Sequence, residues 1–128
     1  MKEGKTGSGM IRIAVPVETR KGLSSPLSEH LGMCPYFLIC DLEAGKVKEL
    51  KTRSNPGAKV EVRMGLEAAR FLIDQDVDVV LVFSMGEGPY WMLKSNSVRM
   101  YKILRAPGTK EEFEHDLENY EELPEIIK

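Results

Sequence analysis

The chain has 128 residues, with 18 Lys or Arg against 20 Asp or Glu, so its formal charge is −2. That length suits one domain with a real core, and the near-neutral balance gives no basic footprint for nucleic acid. No apolar run approaches the ~20 residues of a membrane span, no signal-peptide pattern opens the chain, and two cysteines are too few for a disulfide scaffold, so a reducing cytoplasm is the expected compartment.

Residues 1–9 (MKEGKTGSG) are polar and glycine-rich, and read as a disordered tail. A single domain is expected over 10–122, with a loosely docked tail over 123–128. Ile11, Ile13, Val15 and Val17 alternate with Arg12, Ala14 and Pro16, a strand signature. Pro16 lacks an N–H, so pairing should break near that strand's end. A Gly/Ser/Pro-rich loop follows. Residues 36–42 are apolar on both parities except at Asp41, as in a strand covered on both faces. A short turn at 43–45 leads into a lysine-rich strand over 46–53, suited to an exposed edge and paired as an antiparallel hairpin.

Asn55-Pro56-Gly57 reads as a turn. Val62, Leu66, Ala69 and Ile73 recur at helical spacing. Residues 77–83 (VDVVLVF) form a short β-branched run typical of a buried central strand. Ser84-Met-Gly-Glu-Gly88 is a glycine turn, and Pro89 suits the first turn of a helix whose Tyr90, Trp91 and Met92 cover the sheet. A strand is expected over 98–104 and a break at Pro107-Gly108. Thr109 and Glu112 form a capping box for a helix with Phe113, Leu117 and Tyr120 as its apolar stripe. The order implies an α/β fold with a mixed sheet, one hairpin and parallel crossovers.

The chemistry concentrates in residues 28–37, SEHLGMCPYF. Imidazole and thiolate are ligands for soft metals, which makes His30 and Cys34 candidate metal ligands. A solvent loop that happens to contain both is the alternative. Two such ligands cannot complete a four-coordinate structural zinc site; they could hold one corner of a pre-assembled cluster or be completed by a second chain. Cys34 and Cys40 should not pair, because an extended 35–40 segment separates them by roughly 20 Å. Cys40 reads as a core residue and His115 as part of a solvated acidic helix face.

The first strand, the SEHLGMCPYF loop, VDVVLVF with its glycine turn, and PGTKEEFEHDL together resemble the dinitrogenase iron–molybdenum cofactor biosynthesis family, of the NifX/NafY and NifB C-terminal type. The resemblance spans about residues 11–120. The family signature Ser-x-His-Phe-Gly-x-Ala-Pro-x-Phe is matched by Ser28, His30, Gly32, Pro35 and Phe37. Leu31 stands where Phe is usual, Cys34 where Ala is usual, and Met85-Gly86 where Ile-Gly is usual. The resemblance implies a ribonuclease-H-like three-layer fold: a mixed five-stranded sheet in the order 3-2-1-4-5, strand 2 antiparallel, helices on both faces. It also implies a non-enzymatic carrier of a metal–sulfur cluster, the iron–molybdenum cofactor or a related anionic ligand, with His30 as a ligand.

That order sets strands 1 and 4 side by side, where open α/β sheets bind ligands, and a helix opening there favours an anion. The candidate cofactor-binding set is Ser28, Gly32, Met33, Gly86, Glu87 and Gly88. Met33 is read there as packing rather than as a thioether ligand. A glycine turn needed for packing alone is the alternative. Catalysis has little support: a Cys34–His30 pair lacks an orienting group, and Glu18 and Asp78 fall at opposite strand ends. The expected partners are a cluster or small anion and a protein in cluster transfer, with no nucleic acid or membrane. The runner-up function is a scaffold or regulatory protein-interaction module.

Overall fold

A computed structural model describes residues 9–105 and 113–128. Strands β1 (Met10–Val17), β2 (Tyr36–Glu43), β3 (Lys46–Ser54), β4 (Val79–Val82) and β5 (Arg99–Lys102) form one sheet in the order β3-β2-β1-β4-β5. The β1–β2 and β2–β3 pairs are antiparallel; β1–β4 and β4–β5 are parallel. This is the mixed five-stranded order that the family resemblance implies. The β1–β4 register covers Ile13↔Val79 and Ala14↔Val80 and ends short of Pro16, but the break expected there is absent on the other side, where the β1–β2 pairing continues through Pro16↔Phe37 and Val17↔Tyr36.

Period-two alternation sends successive side chains to opposite faces. Ala14, Phe37, Ile39, Val80 and Val82 face helices α1 (Met64–Asp74) and α2 (Glu87–Ser95), which contribute Ala68, Ala69, Leu72, Tyr90 and Leu93. Ile13, Val15, Val17, Leu38, Cys40, Val79, Leu81 and Tyr101 face Phe113, Leu117 and Tyr120 around the short helix α3 (Glu114–Glu118). Each fully buried Leu or Phe contributes roughly 1.5–3 kcal/mol, so both faces of the sheet need their cover.

The hairpin turn uses positive φ at Ala44 (52°) and Gly45 (78°), the left-handed pair that matches strand twist in a two-residue connection. At the same end of the sheet, where β1 begins, Asp41 accepts from Arg12 Nε at 2.8 Å and Nη2 at 3.2 Å, while Asp78 accepts the Arg12 backbone N–H at 2.8 Å. The Asp41 bond raises the Arg12 pKa further. Glu18 lies beyond the opposite end of β1, so these carboxylates do not converge.

Some local expectations differ. Helix α1 starts at Met64 rather than near Val62, because Arg63 is left-handed (φ 59°, ψ 34°) and turns the chain; Val62 is left 71% exposed. Helix α2 starts at Glu87, which puts Pro89 in its first turn as expected. Trp91, expected on the sheet, is half exposed, with its Nε1 donating to Glu87 Oε2 at 3.0 Å. The 123–128 segment is hydrogen-bonded along β5: Lys102 N–H donates to Pro124 O and Ile126 N–H to Met100 O, each at 2.8 Å. The expectations for residues 1–8, the Pro107-Gly108 break and the Thr109–Glu112 capping box lie outside the described residues.

Candidate functional site

The His30 loop leaves β1 through Ser28, whose N–H donates to Pro16 O at 2.9 Å. It then makes one tight turn, closed by Cys34 N–H donating to His30 O at 3.0 Å. That turn sends the two candidate ligands in opposite directions: His30 is exposed and Cys34 is 1% exposed. Asn55, 1% exposed, fastens the loop from behind. Its Nδ2 lies 2.8 Å from Cys34 O, 3.0 Å from Leu31 O and 3.2 Å from Gly32 O, and its Oδ1 accepts the Gly57 N–H at 2.9 Å. An amide NH2 has two hydrogens, so the two shorter carbonyl bonds carry the load.

Gly32 has a packing role. A Cβ there would lie 2.8 Å from Gly65 N and 2.9 Å from Met64 C, so only glycine lets the loop reach the first turn of α1. Gly65 in turn admits Pro89 of α2: a Cβ on Gly65 would meet Pro89 Cγ at 2.7 Å. The chain of close contacts brings the His30 loop, the start of α1 and the Ser84–Gly86 turn around one open cleft of about 270 Å³. His30, Gly32, Met33 and Gly86 line it, with Leu31, Met64, Gly65, Ser84, Met85 and Pro89 completing the wall.

Both helices open onto this cleft without a side-chain cap. The first helical bond of α1 is Glu67 N–H to Arg63 O, and that of α2 is Tyr90 N–H to Gly86 O. The N–H groups of Met64, Gly65 and Leu66, and of Glu87 and Gly88, therefore have no partner within their helices. Two positive dipole ends at one cleft favour a negatively charged group by roughly 0.3–1 kcal/mol each.

Four members of the expected set stand elsewhere. Ser28 is buried (4% exposed) under the loop and is held through its backbone. Glu87 points along α2 to Trp91. Gly88 faces Leu66 Cδ2, 3.1 Å from where its Cβ would sit. Cys34, a candidate metal ligand, is enclosed by the loop, and burial pushes its pKa from 9.0 up to about 12, against the Asn55 hydrogen bond. Its Sγ lies 3.5 Å from Leu31 O and 3.4 Å from Asn55 Nδ2. A thiol walled off in this way packs as a small hydrophobe. Cys40 is likewise buried, and both cysteines are free. Among the described residues no group of three or more His, Cys, Asp or Glu side chains could hold a metal ion.

Sequence reasoning missed Asn55, Met64, Gly65 and Met85. Asn55 in a turn motif and glycine at the second position of a helix were the available signals; Gly65 is out of place on helix propensity alone.

A model of one sequence family, described as dinitrogenase iron-molybdenum cofactor, matches residues 11–115. The uncharacterized protein MJ0580 of Methanocaldococcus jannaschii is 25% identical over 93 residues, 73% of this chain and 75% of that protein. The apo form of the orange protein from Desulfovibrio gigas superposes with a TM-score of 0.75 at 20% identity, covering 93% of this chain and 95% of that one. A candidate NifB protein from Thermotoga, of the DUF35 family, gives 0.64 at 24% identity, covering 88% of each chain. At such identities the solved structures share the fold, and function must be argued from the site.

Proposed function

The chain belongs to the dinitrogenase iron–molybdenum cofactor family, and from that premise we propose that it binds a metal–sulfur cluster, or a related anionic ligand, and passes it on without turnover. The cargo is the iron–molybdenum cofactor or a chemically similar cluster, handed to a partner protein. The observation that carries this reading is the convergence of exposed His30 with two uncapped helix starts at one cleft. The free N–H groups suit the cluster's negative charge, and the imidazole supplies one metal ligand. A shallow site with one exposed ligand suits cargo that must leave again. We further assign the layout to the ribonuclease-H-like class and the protein to a reducing cytoplasm, in keeping with two buried free cysteines.

Anaerobic reconstitution with iron, sulfide and molybdate tests the reading. The wild type should develop sulfur-to-metal charge-transfer bands that survive desalting, and His30→Ala should lose most of them while melting like the wild type. A colourless wild type after desalting would refute the carrier role.

A scaffold or regulatory module is the second reading. Exposed Met33 (59%), Val62 (71%) and Trp91 (49%) favour it, since such side chains suit a protein interface.

A further inference from the structure

Strand β3 closes one side of the sheet, and among the described residues no strand lies beyond it. The register shows which of its backbone groups are left over. Arg12 turns its carbonyl to the Asp78 N–H, on the β4 side of β1, so Ile13, Val15 and Val17 turn theirs to β2. The backbone groups of Phe37, Ile39 and Asp41 then face β3, where they meet Arg53, Lys51 and Glu49. Leu50, Thr52 and Ser54, which alternate with these, point their N–H and C=O groups away from the sheet. Val47, opposite Leu42, is turned outward in the same way, and its N–H donates to Glu118 Oε2 at 2.8 Å. That end of the edge is covered, a β-bulge follows it, and the stretch from Leu50 to Ser54 is left open.

The strand is also the wrong charge for its molecule. It carries Lys46, Lys48, Lys51 and Arg53 against Glu49 alone, on a chain whose formal charge is −2. Lys46 and Lys48 are paired with Glu118 and Glu43. In the open stretch Lys51 meets only exposed Glu49, at 3.3 Å, and Arg53 has no ion pair among the described residues. Lys51 and Arg53 lie opposite Ile39 and Phe37, on the sheet face covered by α1 and α2. Leu50 and Thr52 lie opposite Cys40 and Leu38, on the other face.

We propose that the edge from Leu50 to Ser54 is a docking site for an extended acidic segment of a partner protein, which pairs with β3 and sets Asp or Glu opposite Lys51 and Arg53 and apolar side chains opposite Leu50 and Thr52. The open N–H and C=O groups supply the pairing, and the side chains choose the partner, because opposite charges directly across a strand pair attract and like charges repel. A second copy laid antiparallel over the whole open stretch would set Lys51 against Arg53 twice. The charges that admit an acidic strand therefore turn away a copy of β3. Ser54 leads into Asn55, whose Nδ2 lies 3.2 Å from Gly32 O in the cleft wall, so a docked strand ends next to the anchor of the His30 loop. The site lies outside the cleft and does not depend on the carrier reading.

The test uses the whole isotope-labelled chain and a capped peptide of alternating glutamate and valine, with a lysine–valine peptide as its charge-reversed control. The acidic peptide should shift the amide signals of Leu50, Thr52 and Ser54 and slow their hydrogen exchange by at least about 10-fold; the basic peptide should do neither. Lys51→Glu with Arg53→Glu changes two exposed side chains and should melt like the wild type. It should weaken binding of the acidic peptide by at least about 10-fold and bind the basic one instead. No change at the three amides at the highest soluble peptide concentration would overturn the proposal, as would equal binding of the two peptides. Shifts without slowed exchange would show attraction by charge alone, without strand pairing, and would overturn it too. Concentration-dependent shifts at these amides in the peptide-free chain, with dimers in sedimentation, would make a second copy the occupant and refute the acidic partner.

Discussion

At Asn55 one buried amide holds a loop that carries no regular structure of its own. Replacing it with alanine leaves the Leu31 and Cys34 carbonyls and the Gly57 N–H without their partner. Each such orphan costs about 1–3 kcal/mol. Asn55→Ala should therefore lower stability by at least about 2 kcal/mol in urea denaturation and weaken any ligand held by His30; an unchanged midpoint would show that the loop is fastened elsewhere. The thiols give a pH signature. Burial raises both Cys34 and Cys40 from 9.0 to about 12, so above pH 9 the unfolded chain releases protons that the folded one keeps. The stability this linkage protects is complete below the unfolded value and is lost progressively between about 9 and 12, by up to ~1.4 kcal/mol per pH unit for each thiol. Cys34→Ala should flatten the fall in urea midpoint between mildly and strongly alkaline buffer relative to wild type, and should leave cluster uptake intact. The thiol's environment was not legible from sequence. A cysteine four residues after a histidine reads as a ligand pair, and only the turn geometry shows that the two face opposite ways.

Helix α1 illustrates how close packing can outweigh local preference. Alanine is about 1 kcal/mol better than glycine in a helix, yet at Gly65 its methyl would press on the Pro89 ring at 2.7 Å, and the ring has little freedom to yield. Gly65→Ala should lower the melting temperature, with an overpacking cost of about 1–3 kcal/mol. Gly88→Ala in α2 meets only the tip of Leu66 at 3.1 Å, which can rotate away, and should be neutral or mildly stabilising. Equal responses at the two positions would mean that α1 and α2 are not held by this contact. The strands were easier to read than the helix starts. Lysine spacing marked β3 as an edge and the β-branched run marked β4 as interior, because burial acts directly on composition. The start of α1 depends on one backbone angle at Arg63, which a hydrophobic period does not encode.

Across the whole molecule, the sheet has two outer strands with unlike protection. β3 is shielded by its charge, and β5 by the segment after Leu123. Removing residues 124–128 deletes two backbone hydrogen bonds and the packing of Ile126. It should cost about 1–3 kcal/mol and expose a strand edge prone to self-association, visible as light scattering on heating. Soluble, wild-type-like melting would show the segment to be dispensable. The parallel β1–β4 seam, two residue pairs in length, has a kinetic consequence. The hairpin side of that seam carries the His30 loop through Asn55, while the other side carries the Ser84–Gly86 turn. Neighbouring β2 and β3 can zip locally, but the seam joins positions 66 residues apart, as at Arg12 and Asp78, and such distant pairing forms late in folding. A ligand spanning both sides would grip an interface absent from the transition state. Its occupancy should slow unfolding in stopped-flow denaturant jumps while leaving the refolding rate unchanged, so a loaded chain would persist by durability rather than by speed of assembly.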